Sequence, residues 1–208
     1  MAGVRKKYLK IFGFFVVTFI VGAGLASLSV ALGSPVGAIG ALALVGWAIF
    51  ARRRWQALRE LDGSEPGAPE RVVWHRFAGC IVVWGHMMFG LLNPQYDLHV
   101  GSGNYLAIDN WTLIFGALIS AWLFRGDGQE RDERDDRIDA IATKWGYGSL
   151  IVLLLMTLSF IGFREGNNGP GLNDFFIANL LMSLIILSAV VRQGTQLFAY
   201  VRESEPLP

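Results

Sequence analysis

The side chains best equipped for chemistry gather in one apolar stretch: Trp74, His75, Arg76, Cys80, Trp84, His86, Met87 and Met88. Imidazole, thiol and thioether groups are ligands for copper or iron, so metal or haem binding is the first chemistry to weigh. His75 and His86 are eleven residues apart, about three helical turns, and share a face. At the rise of an α-helix they stand about 16 Å apart, too far to hold one ion. A haem pair would need a histidine from another segment, and the remaining one, His99, lies in a polar connection. The expectation is therefore no metal and no cofactor, with a membrane haem or redox protein as the third functional option. His75 and Arg76 suit the end of a span, where polar tips snorkel to water. His86 lies deeper, where an ionisable group is either functional or a neutral imidazole bonded to a neighbouring helix. Asn179 joins it as an intramembrane polar candidate, and Ser183 and Ser188 are milder polar points of the same last segment.

Enzyme signatures are absent. There is no H-E-x-x-H, no G-x-S-x-G and no phosphate-cradling G-x-x-x-x-G-K, so a non-enzymatic protein is expected. The other chemically loaded stretch, Glu130 to Trp145, opens with unbroken charge and then spaces Ile138, Ile141, Ala142 and Trp145 along one helical face. Glu130 with Arg134, and Glu133 with Arg137, are i, i+4 pairs in the favourable order. A charged helix over about 127–145 is predicted to start in water and run without a break into an apolar span. It is either a solvated face or a docking surface presenting Glu130, Arg131, Glu133, Arg134 and Arg137 to a cytosolic partner.

The elements that must position these groups are apolar segments. Of the 208 residues 53% are hydrophobic, and mean hydropathy is +0.43. Six segments can cross a hydrocarbon core, which needs roughly 20 apolar residues each. They fall at about 11–32, 36–51, 72–92, 105–124, 145–163 and 174–191. The second is short and follows the first after Gly33-Ser34-Pro35, so these two are expected to form a tight hairpin. The basic start, Arg5 to Lys10, fits a retained signal-anchor better than a cleaved leader. Nearly all lysines and arginines fall on one side of a six-span arrangement, with Arg164 alone on the other. The positive-inside rule then puts both termini in the cytoplasm. The predicted fold is an all-α polytopic integral membrane protein: a single membrane domain over residues 1–208, with six transmembrane helices in three hairpins.

The outer connections, 93–104 and 164–173, are rich in Gly, Asn and Pro. Asn104, Asp109, Asn173 and Asp174 stand near segment starts, where such residues cap free amides. The competing expectation is an outer binding mouth lined by Asp97, Asp109 and Asp174. Gly22 with Ala26, Gly33 with Gly37, and Gly85 suit close helix approach. A lone cysteine, Cys80, excludes an internal disulfide.

The D-E-R-x-x-x-I pattern at Asp132, Glu133, Arg134 and Ile138, directly followed by a span, resembles a juxtamembrane motif of small uncharacterised bacterial and archaeal membrane proteins. The resemblance covers about 105–191 and implies a membrane-bound sensor or anchor paired with a small helix-turn-helix regulator. The expected function is a sensor or regulatory protein of a bacterial inner membrane, partnered by the lipid bilayer, a cytosolic regulator and further copies of itself, without direct nucleic-acid contact. The alternative is a small oligomeric transporter or channel using His86.

Overall fold

The computed structural model describes residues 2–62, 68–93, 96, 98–99, 104–124, 132–163 and 174–203. Among them the chain is all-α, in six helices: α1 (Ala2–Leu32), α2 (Gly37–Asp62), α3 (Ala68–Leu92), α4 (Tyr105–Trp122), α5 (Glu133–Phe163) and α6 (Asp174–Glu203). Three stretches are long and apolar enough to cross a bilayer, Lys6–Leu32, Glu133–Phe163 and Asp174–Arg202.

The helix ends follow from local chemistry. Gly33, at φ 57°, takes the left-handed conformation that closes α1. Its N–H reaches Val30 O at 3.3 Å, and the Ser34 N–H reaches Ser29 O at 3.3 Å, the paired bonds of a Schellman turn. Asn104 caps α4 by accepting the Ala107 N–H at 3.3 Å. At the start of α5, Asp132 accepts the Asp135 N–H at 2.7 Å, and Asp135 accepts the Asp132 N–H at 3.5 Å. From there α5 runs 31 residues without interruption, about 46 Å, from its charged first turns into its apolar length. Glu130 and Arg131 lie outside the described residues. The second segment, expected to end near 51, continues as helix to Asp62 and carries Arg52, Arg53 and Arg54 on the same axis.

Packing departs from three self-contained hairpins. α3 is central and packs on α1, α6 and α4, while α2 lies on α4 and α5 on α6. α1 and α2 scarcely touch beyond their turn, so the tight hairpin expected of them is only a tight turn. Glycine decides this. Gly22 sits against the Val82 carbonyl and Gly85 against the Phe19 carbonyl, and a Cβ at either position would collide with that backbone. The α1 and α3 backbones therefore meet as two smooth surfaces. Gly116 does the same for α4 against Ala41 of α2.

Ile11, Phe77, Ile81, Ile138 and Leu197 form one buried cluster, joining α1, α3, α5 and α6. Val83, Met87 and Leu113 centre a second, between α3 and α4. α5 buries only Ile138, Ala142 and Gly146, a stripe at four-residue intervals facing α6. Its outer length, including Leu155, Met156, Leu158 and Phe163, is exposed apolar surface. Such a surface suits contact with lipid chains.

Candidate functional site

Two polar constellations interrupt this apolar body. The first is enclosed where α1, α3 and α4 meet at the α1–α2 turn. Asp109 is fully buried, as are Ser29 and His86, and Asn110 is nearly so. The Ser29 hydroxyl makes a very short contact with Asp109 Oδ2. It also lies 2.7 Å from Ser34 O and accepts the Val36 N–H at 3.3 Å. A hydroxyl has one proton to donate, so the cluster admits two placements. Either Ser29 donates to the Asp109 carboxylate, or it donates to Ser34 O and a protonated Asp109 donates to Ser29.

His86 Nδ1 is 2.7 Å from Asn110 Oδ1, an acceptor, which assigns the proton of a neutral imidazole to Nδ1. Nε2 then presents its lone pair 3.9 Å from Asp109 Oδ2. Among the described residues neither His86 Nε2 nor Asp109 Oδ1 has a hydrogen-bond partner. A Cβ on Gly37 would lie 2.5 Å from Asp109 Cβ, so the bare glycine backbone forms the lid over the carboxylate. At 3.9 Å the imidazole and the carboxyl group face each other without a hydrogen bond between them. Only His86 and Asp109 offer strong ligand atoms here, and no group of three His, Cys, Asp or Glu side chains assembles among the described residues.

Asp109 is the main departure from expectation. Placed by sequence at a cap or an outer mouth, it is turned inward one turn into α4, and Asn104 does the capping. Asp97 lies outside the described residues, and Asp174 is exposed in the first turn of α6, where an acid complements the helix dipole. His75 also differs: it is buried, in a very short contact with Ser120 Oγ, and its ring stands edge-on to Phe124 at 4.7 Å. Asn179 stands apart from His86. Its amide donates to Phe175 O at 2.8 Å and to Leu98 O at 3.4 Å, tying α6 to the connection before α4.

The second constellation joins the charged start of α5 to the end of α6. Arg192 Nη2 donates to Asp139 Oδ1 at 2.8 Å, and Gln196 Nε2 donates to the same oxygen at 2.6 Å. Two turns on, the Tyr200 hydroxyl donates to Asp135 Oδ1 at 2.8 Å, and the Arg134 guanidinium lies 5.7 Å from the centre of the Tyr200 ring. Asp135 and Asp139 are one turn apart on α5, and Arg192, Gln196 and Tyr200 are successive turns of α6, so the antiparallel helices match acceptor to donor. Of the docking residues named from sequence, Glu133 and Arg137 are exposed, and Arg134 is half-buried on α6. Asp135 and Asp139, which hold the helix, were missed. Their complementary spacing with the polar stripe of α6 was the available signal.

The chain matches no protein-family model, no curated protein and no solved structure.

Proposed function

We propose that this is a membrane sensor or regulatory protein, and that α5 carries its output to a cytosolic partner. The observation that carries this is the continuity of α5. One rigid helix bears exposed Glu133, Asp136 and Arg137 at its start and exposed apolar side chains along its length. A tilt or axial shift of its apolar part must move the charged turns. The Asp139–Arg192–Gln196 contact gives α5 a reference on α6 that such a shift would make or break. Six crossings with both termini in the cytoplasm of a bacterial inner membrane belong to this proposal, supported by the one-sided placement of lysine and arginine. α3 fits as a crossing element because its two histidines, His75 and His86, are buried inside the protein.

The test is paired. A cysteine introduced at Arg137 should react with an impermeant maleimide only after the cells are opened. Purification from native membranes should yield a cytosolic protein that the doubly reversed variant, Glu133→Arg with Arg137→Glu, no longer retains. Labelling in intact cells, or an identical set of bound proteins, would overturn the proposal.

A second function, a small proton-coupled carrier, is favoured by one observation: the fully buried His86–Asp109 contact with its two unpartnered atoms. Buried ionisable groups inside apolar spans mark such pathways. Proton flux into liposomes that disappears with His86→Ala and with Asp109→Asn would support it, and flux that persists in both would remove it.

A further inference from the structure

A cavity of about 310 Å³ lies between α3, α4 and α6. α3 is its floor. α4 and α6 are its walls, and because they scarcely touch each other the space opens between them. Leu118 and Ile185 stand at that opening, 60% and 52% exposed, on the surface that lipid chains would cover. The two ends of the cavity differ. One is apolar, formed by Val83, Ile114, Met182 and Ile186. The other carries His75, Arg76, Ser120 and Gln193.

Gln193 supplies the second observation. It is 7% exposed, and its side-chain Oε1 has no hydrogen-bond partner among the described residues. A buried carbonyl oxygen in that state is costly unless something arrives to bond it. His75 and Ser120 do not, since they bond each other. The unpartnered atom is a carbonyl oxygen, so the group that fits must donate a hydrogen bond to it. The O–H of a protonated carboxyl group does this, and its C=O remains to accept. The Arg76 guanidinium, at the same end of the cavity, can donate to that C=O.

Size decides the rest. From Met182 to Gln193 the α6 wall is about 16 Å long, roughly half of a hydrocarbon core. The volume is at the lower end for small-ligand sites, suited to one slim chain and not to a two-chain lipid.

We propose that this cavity binds a single-chain fatty acid that enters sideways from the bilayer, its carboxyl group against Gln193 and Arg76 and its chain along α3 between α4 and α6. Binding there needs no cytosolic partner. Its part as a signal does rest on the regulatory proposal: Gln193 is next to Arg192, which grips Asp139 of α5, so displacement of this turn of α6 reaches the charged helix directly.

Native mass spectrometry of the full chain in a neutral detergent, titrated with palmitic acid, tests the site. The expected result is one saturable adduct per chain. Gln193→Leu should weaken it about tenfold, the value of one buried hydrogen bond. Ala189→Phe, which fills the cavity from α6, should abolish it, while both variants keep the helical circular dichroism of the parent. Hexadecanol, with the same chain and no carboxyl group, should bind at least about tenfold more weakly. No saturable adduct, an adduct indifferent to both substitutions, equal binding of hexadecanol, or a two-chain phospholipid held at the same stoichiometry would each overturn the proposal. Arg192→Ala separates the two proposals: it should leave palmitic acid binding intact and alter only retention of the cytosolic partner.

Discussion

The α1–α3 seam, parallel, and the α5–α6 seam, antiparallel, are both contacts between long helices, yet they are built from opposite materials. At α1–α3, glycines bring backbone onto backbone, and the polar groups nearby, Ser29, His86 and Asp109, are enclosed completely. At α5–α6 a thin stripe of Ile138, Ala142 and Gly146 meets the partner, and charged side chains at the helix ends do the rest. Arg192 and Asp139 are 40% and 27% exposed, so solvent screens them. A close-packed seam has one arrangement, because its cores do not deform continuously. A screened, sparsely buried seam can exchange partners at low cost. The difference separates a fixed scaffold, α1 with α3, from an arm that can move, the start of α5.

The comparison can be broken most forcefully at the glycines. Gly85→Leu should cost more than about 3 kcal/mol, or prevent folding, since the obstacle is the Phe19 carbonyl and not a side chain that can turn away. Gly148→Ala on α5, where nothing lies within 4 Å, should instead be neutral or stabilising by up to about 1 kcal/mol. Thermal unfolding of both variants in the same detergent reads the contrast, and equal losses would erase it.

The enclosed polar cluster comes next. Ser29→Ala removes the Asp109 contact and the acceptor of the Val36 N–H together, and should cost about 1–3 kcal/mol with little dependence on salt. A loss that fades in high salt would mean the cluster is open to water.

The smallest effect is expected at the arm. A double-mutant cycle with Arg192→Ala and Asp139→Ala should give a coupling below about 1 kcal/mol, after allowance for solvent screening, that shrinks as ionic strength rises. Tyr200→Phe should cost about 0.5–1.5 kcal/mol at most. A coupling larger than the Ser29→Ala loss would reverse the assignment of rigid and mobile seams.

Much of the helix plan was legible along the chain. The charged opening of α5, its passage into apolar residues and the turn at Gly33 all follow from near-neighbour chemistry. His86 stood out as an ionisable group in an apolar run, and it is fully buried. Its partner did not stand out, because Asp109 is close enough to a segment start to read as a cap. Nothing local distinguishes an aspartate that caps from one that turns inward. Asn104 had already taken the cap, and Ser29, eighty residues earlier, supplied the contact. Asp135 and Asp139 were hidden in the same way, among charges that all read as solvated until α6 was laid beside them.

By itself, the order of residues determined the all-α class, the helix boundaries at Gly33, Asn104 and Asp132, and stretches apolar enough for a bilayer, because capping, glycine conformation and hydrophobicity act within a few residues. Tertiary structure alone decided that α1 leaves α2 to pack on α3, that Asp109 meets Ser29 and His86, and that a cavity opens between α4 and α6 in which Gln193 Oε1 has no partner among the described residues. Those outcomes depend on which smooth face finds which across the fold, and steric complementarity between distant segments leaves no periodic mark in either one.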